Sequence, residues 1–153
     1  MLKEAIRKRL SKEEGQKGFT LIELLAVIVI LGIIAVIAIP LIGNVISNTK
    51  DNADVATARQ VYDAARLYVT GEKGGDFKSA GDIKLTDLQS KGYLDKPLTL
   101  PSSKVEITEA IIHFNSQGQL DNKTTTGADA ITFTPATGSA IKYSAKQVLS
   151  AKK

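Results

Sequence analysis

An α+β fold is predicted, with one long N-terminal α-helix packed on a small antiparallel β-sheet. Three observations predict it. A charge-free apolar run, Leu24 to Ile42, gives way after Lys50 to apolar residues recurring every three or four positions, at Val55, Ala58, Tyr62, Ala65 and Val69. The apolar period then shifts toward two from Val105 onward. Glycine-bearing stretches, "TGEKGGDF", "SQGQ" and "ATGS", separate the segments and supply turns.

Before the apolar run lies a basic segment. Lys3, Arg7, Lys8, Arg9, Lys12 and Lys17 outnumber Glu4, Glu13 and Glu14, whereas the whole chain carries a net charge of only +4. Most of the excess therefore sits beside the run. That position is a topology signal for a membrane span, because lysine and arginine stay on the cytoplasmic side. It argues against a distributed nucleic-acid surface. Residues 50–153 are then expected outside, as a globular α+β domain. With about 110 residues after the run, that domain can hold a small core.

The run Leu24 to Ile42 is 19 residues long, about the bilayer hydrocarbon at 1.5 Å per residue. A cleaved secretory signal would be shorter and would end in an A-x-A-like site, and Pro40, Leu41 and Ile42 offer none. A plain single-pass anchor accounts for length and orientation. It does not account for Glu23, since an acid at the centre of a span costs about 2.5–3.5 kcal/mol. The remaining reading gives Glu23 a charged partner.

The residues Gly18-Phe19-Thr20-Leu21-Ile22-Glu23, after a basic leader and before a long apolar helix, resemble the type IV prepilin signature. The resemblance covers residues 18 to about 45. Gly32 and Pro40 also fall where bacterial pilins carry helix-weakening residues. The leader, residues 1–18, is longer than is usual before an N-terminal Phe. The resemblance implies that prepilin peptidase cleaves between Gly18 and Phe19 and that Phe19 is then N-methylated. Residues 19–49 would form a hydrophobic transmembrane and assembly helix. The protein would sit in the inner membrane as a single-pass precursor and then enter an extracellular homo-polymer, a pilus filament, through the pilus assembly machinery. Glu23 would pair with the Phe19 amine of a neighbouring subunit. That pair has a physical basis, because either charge alone is costly in hydrocarbon and a carboxylate near a helix N-terminus is favoured.

The amphipathic pattern through Val69 predicts that the helix continues from about Phe19 to Thr70, roughly 75 Å, with Asp51, Asp54, Arg59, Asp63 and Arg66 on polar faces. Pro40 predicts a kink or local opening, and "TGEKGGDF" the helix end. "KLTDLQSKGYLDKP" predicts a short helix capped by Thr86, with Leu85 and Leu88 inward and Gly92 as its stop. "VEITEAIIHFN", "AITFTP" and "AIKYSAKQV" predict strands. A sheet of three or four strands would cover the Val55, Tyr62, Val69 stripe.

Enzymatic chemistry has little to stand on. There is no cysteine, and His113 is the lone histidine, in an expected strand. No G-x-S-x-G, P-loop or metal-ligand cluster is visible, so no metal or cofactor is expected. "DNKTTTGAD", residues 121–129, fits no standard calcium loop. Lys142, Lys146, Lys152 and Lys153 could contact DNA, though such residues usually solubilise a tail. The function classes are therefore a pilin, a pseudopilin of a competence or type II secretion machine, and a membrane-anchored domain that never polymerises. Glu23 favours the two polymers.

Overall fold

A computed structural model describes residues 1–13, 18–122 and 129–151. Lys17, Lys152, Lys153 and most of the 121–129 loop lie outside the described residues. The chain divides into two compact units, Met1–Asn44 and Val45–Lys153.

The first unit holds helix α1, Leu2–Glu13, with Glu4 in its first turn, where a negative charge suits the helix dipole. It also holds the apolar part of α2. That helix runs Leu21–Glu72, 52 residues, two residues later at each end than the sequence predicts. Its N-terminal part is rich in β-branched residues, yet it is helical. In an apolar environment such a segment would have few alternatives to a helix, which satisfies its backbone within one segment. Gly32 and Pro40 both lie inside α2, and the helix is not broken at either: Leu21–Glu72 is helical without interruption. A lost N–H at proline removes one bond from the ladder, and the bonds on either side carry the helix past it.

In the second unit, the rest of α2 meets a four-stranded antiparallel sheet in the order β1-β2-β3-β4. The strands are β1 (Ile83–Lys84), β2 (Ile107–Ile112), β3 (Ile131–Pro135) and β4 (Ile141–Tyr143). Val55, Ala58, Tyr62, Ala65 and Val69 are buried as the periodicity requires, and Val61, Ala64 and Tyr68 widen the stripe. They share one core with Ile83, Ile107, Ile112, Ile131, Phe133 and Val148. Each large side chain so buried is worth about 1.5–3 kcal/mol. Tyr62 stacks on Phe114, which in turn meets Phe77, and Arg59 and Arg66 both lie over the Tyr62 ring.

Several expected details are corrected. Asp54 is buried rather than on a polar face; its carboxylate accepts the Ser102 N–H at 2.9 Å, serving the turn after Leu100. Helix α2 does end inside the expected stretch TGEKGGDF, after Glu72. The chain leaves the helix at Gly74 and Gly75, both at positive φ, and the Gly75 N–H reaches back to the Val69 carbonyl at 3.0 Å. A short α3, Phe77–Ala80, follows; Asp76 caps it by accepting from Lys78 and Ser79, and the Ser79 bonds hold the Asp76 carboxyl below its usual range.

Helix α4, Leu85–Ser90, buries Leu85 and Leu88, but Thr86 lies inside its first turn and the N-cap is Lys84, which makes no side-chain cap bond. Lys84 closes β1, whose pairing with Ile111 sets the entry to α4. "AIKYSAKQV" is half strand and half helix. After β4, Ser144 caps α5, Ala145–Ser150, in a reciprocal capping box with Gln147. Tyr143, buried at the end of β4, has its hydroxyl pushed up to about 12, by burial first and then by the charges of Asp54 and Asp51.

Candidate functional site

The candidate site is the start of α2 and the apolar surface that follows it. Gly18, Phe19 and Thr20 are outside any regular element, and α2 begins at Leu21. Thr20 fixes that start. Its hydroxyl accepts the Glu23 N–H at 3.2 Å, and its own N–H donates to Glu23 Oε2 at 2.8 Å. The Thr20 carbonyl accepts the Leu24 N–H at 3.1 Å, the first bond of the helical ladder. This is a capping box, in which two otherwise unsatisfied backbone donors are served reciprocally. In the sequence Thr20 is one residue of the six-residue signature. The T-x-x-E spacing before an apolar run was the signal that could have revealed the cap.

The consequence is local. The Gly18–Phe19 peptide is held outside the helix, and Phe19 is 90% exposed. A Cβ added to Gly18 would meet nothing within 4 Å. Among the described residues, nothing therefore requires a glycine there.

Beyond Glu23 no charge occurs until Lys50. Large apolar side chains from Leu21 to Ile46 stand exposed along the helix, and α2 is long and apolar enough to cross a membrane. An apolar surface of that extent requires a covering partner, lipid or protein. Glu23 lies at its start, on the first turn of α2, and its carboxylate has its bond from Thr20. Gly32 and Gly43 each have open space where a side chain would project.

Two of the other residues considered for chemistry make structural contacts. His113 Nδ1 lies 2.7 Å from Asp82 Oδ1, tying the end of β2 to the chain before β1. Lys142, considered for DNA, reaches Asp129 Oδ1 at 2.9 Å. Among the described residues no group of three or more His, Cys, Asp or Glu could hold a metal ion.

Comparison with known proteins places the resemblance on the same residues. Residues 15–39 match the family described as the prokaryotic N-terminal methylation motif. A type IV major alpha-pilin of Moraxella bovis is 47% identical over 101 residues. That match covers 61% of this chain and 60% of the relative, so the chain spans about three fifths of the curated relative it matches. No solved structure matches the chain.

Proposed function

We propose that this chain is a type IV pilin, a structural subunit that polymerises through α2 into a surface filament; the methylation motif and the likeness to a major pilin support the reading. The observation that carries the reading is a long exposed apolar helix with a single carboxylate on its first turn. Cleavage after Gly18 by prepilin peptidase removes the basic leader, residues 1–18, and makes Phe19 the N-terminus, where it is methylated. The apolar helix stays with the product. Before assembly, residues 19–49 sit in the inner membrane and residues 50–153 lie outside. In the filament the same apolar surface is covered by other copies.

Glu23 then changes partner. In the precursor its carboxylate accepts from Thr20. After cleavage an ammonium appears at Phe19, and the best-matched counter-ion in a hydrophobic bundle is the Glu23 of an adjoining copy. Incorrect register leaves a charge buried without its partner, at a cost of about 3–5 kcal/mol. Gly32 and Pro40 supply weak points in the helix where packing in the filament can bend it. The likeness to a major pilin favours a surface filament over the short filament of a secretion or competence pseudopilin.

The test is Glu23→Val as the sole subunit in the cell. The variant is expected to be cleaved at Gly18, to remain in the membrane and to yield no filaments by electron microscopy. Normal filament numbers would remove the register role of Glu23 and leave a plain anchor as the better reading.

A further inference from the structure

The function above uses the leader only for its charge, yet α1 is a formed helix with a distinct face. Leu2 and Ile6, four residues apart, share that face and are 78% and 52% exposed. The sequence continues the spacing at Leu10. At about 100° per residue, Lys3 and Arg7 lie together along one side of the Leu2–Ile6 stripe and Glu4 falls on the opposite side. A basic helix of low overall hydrophobicity with a narrow apolar stripe is the pattern of an element that lies in a membrane interface. A helix of about 12 residues is marginal in water on its own, so a surface that covers its apolar stripe would stabilise it.

The covering surface is close by. Eight residue steps separate Glu13 from Leu21, at most about 29 Å of chain. Leu21 opens a helix long and apolar enough to cross a membrane. Tethering raises the effective concentration of the bilayer surface around α1, so a weak intrinsic affinity suffices. Charge selects the surface: a helix bearing Lys3, Arg7 and Lys8 complements an anionic leaflet.

We propose that α1 is an interfacial helix that docks on anionic phospholipid, with Leu2 and Ile6 in the acyl boundary and Lys3 and Arg7 among the headgroups. This rests on the reading that α2 spans the membrane with the leader on its cytoplasmic side. Docking holds the Gly18–Phe19 peptide at the membrane surface, where a membrane-embedded peptidase would meet it. The leader is then a positioning element for its own removal.

The full uncleaved chain, reconstituted in vesicles without peptidase, provides the test. The chain has no cysteine, so one introduced cysteine carries a fluorophore at a unique place. Labels at Ile6→Cys, Glu4→Cys and Val36→Cys are compared by quenching from water. In vesicles containing phosphatidylglycerol, the Ile6 label is expected to be shielded and the Glu4 label accessible. In phosphatidylcholine alone that contrast should vanish. Lys3→Gln with Arg7→Gln should weaken docking about 25-fold, since each cation near an anionic surface contributes roughly fivefold. Equal accessibility at Ile6 and Glu4 in anionic vesicles would overturn the proposal. So would shielding of Ile6 that is indifferent to lipid charge, or that appears only when other membrane proteins are present. The Val36 label separates the two levels. If Val36 is shielded and Ile6 is not, the surface helix alone fails; if Val36 is open to water, the membrane-spanning reading fails with it.

Discussion

Thr20 and Glu23 cap one another, with the Thr20 N–H on the Glu23 carboxylate at 2.8 Å and the Glu23 N–H on the Thr20 hydroxyl at 3.2 Å. The carboxylate thus has a partner before any amine exists at Phe19. The hydroxyl is what starts α2 at Leu21 rather than upstream. Thr20→Val keeps the shape and removes the oxygen, which costs about 1 kcal/mol at a helix N-terminus. Amide exchange at Glu23 in membrane-reconstituted protein is expected to quicken about fivefold in Thr20→Val and to stay unchanged in Thr20→Ser. Equal exchange in both variants would show that the cap does not hold the helix start.

Gly18 is tested by an opposite logic. Its side-chain position is open space, so Gly18→Leu should leave the fold intact. If a peptidase pocket accepts the residue before the cut, the same change leaves uncleaved precursor in the membrane. Intact mass gives the answer: a mature chain beginning at Phe19 in Gly18→Leu would refute the proposed requirement.

Gly71 carries a constraint of a different origin. The Tyr93 hydroxyl occupies the space a Cβ on Gly71 would need, and that hydroxyl also reaches Glu72 at 3.4 Å. Alanine in a helix interior is otherwise favoured over glycine by about 1 kcal/mol. Gly71→Ala alone is therefore expected to bring no gain in stability. In a Tyr93→Phe background the same change should stabilise by about 1 kcal/mol. Denaturant melts of the four proteins of this cycle measure the coupling; simple additivity would mean that Tyr93 yields freely.

The long helix and its buried stripe were legible because one signal, apolar recurrence at helical spacing, runs unbroken from Val55 to Val69. The strand pattern was harder. Ile107 pairs with Pro135 but Glu109 with Thr134, so Thr108 is an extra residue in β2, its hydroxyl donating to the Thr134 carbonyl at 2.9 Å. That bulge shifts the inward positions to Ile107, Ala110 and Ile112, which no strict period of two describes. At β1 a strand of only Ile83 and Lys84 has no period to read; its pairing with β2 defines it. Asp54 looked like a surface residue because its partner, the Ser102 N–H, lies 48 positions along the chain. At the candidate site, Gly18, Phe19 and Glu23 stood out as residue types in a known order. The Thr20 cap was written in the same six residues and needed the capping rule rather than the family signature.

Tyr143 gives a pH test of the domain core. Its hydroxyl is pushed up to about 12 by burial and by the carboxylates of Asp54 and Asp51. An unfolded tyrosine titrates near 10, so the folded state favours the neutral phenol. The resulting stabilisation is full below pH about 10 and is lost as pH rises through about 12. Two units of difference correspond to at most about 2–3 kcal/mol, which solvent screening reduces to about 1–2 kcal/mol. The measurement suits a soluble fragment beginning near Asn48, which is expected to fold because the stripe from Val55 to Val69 still covers the sheet. Other groups titrate in the same window, so the comparison is with Tyr143→Phe. The alkaline loss of stability should be shallower in that variant by the stated amount. Asp54→Asn keeps an oxygen for the Ser102 N–H while removing a negative charge, and should lower the tyrosinate midpoint of Tyr143 toward 10. Identical alkaline denaturation curves for the parent fragment and Tyr143→Phe would mean that the buried phenol ionises as readily folded as unfolded, and that the packing of β4 against α2 opens before it titrates.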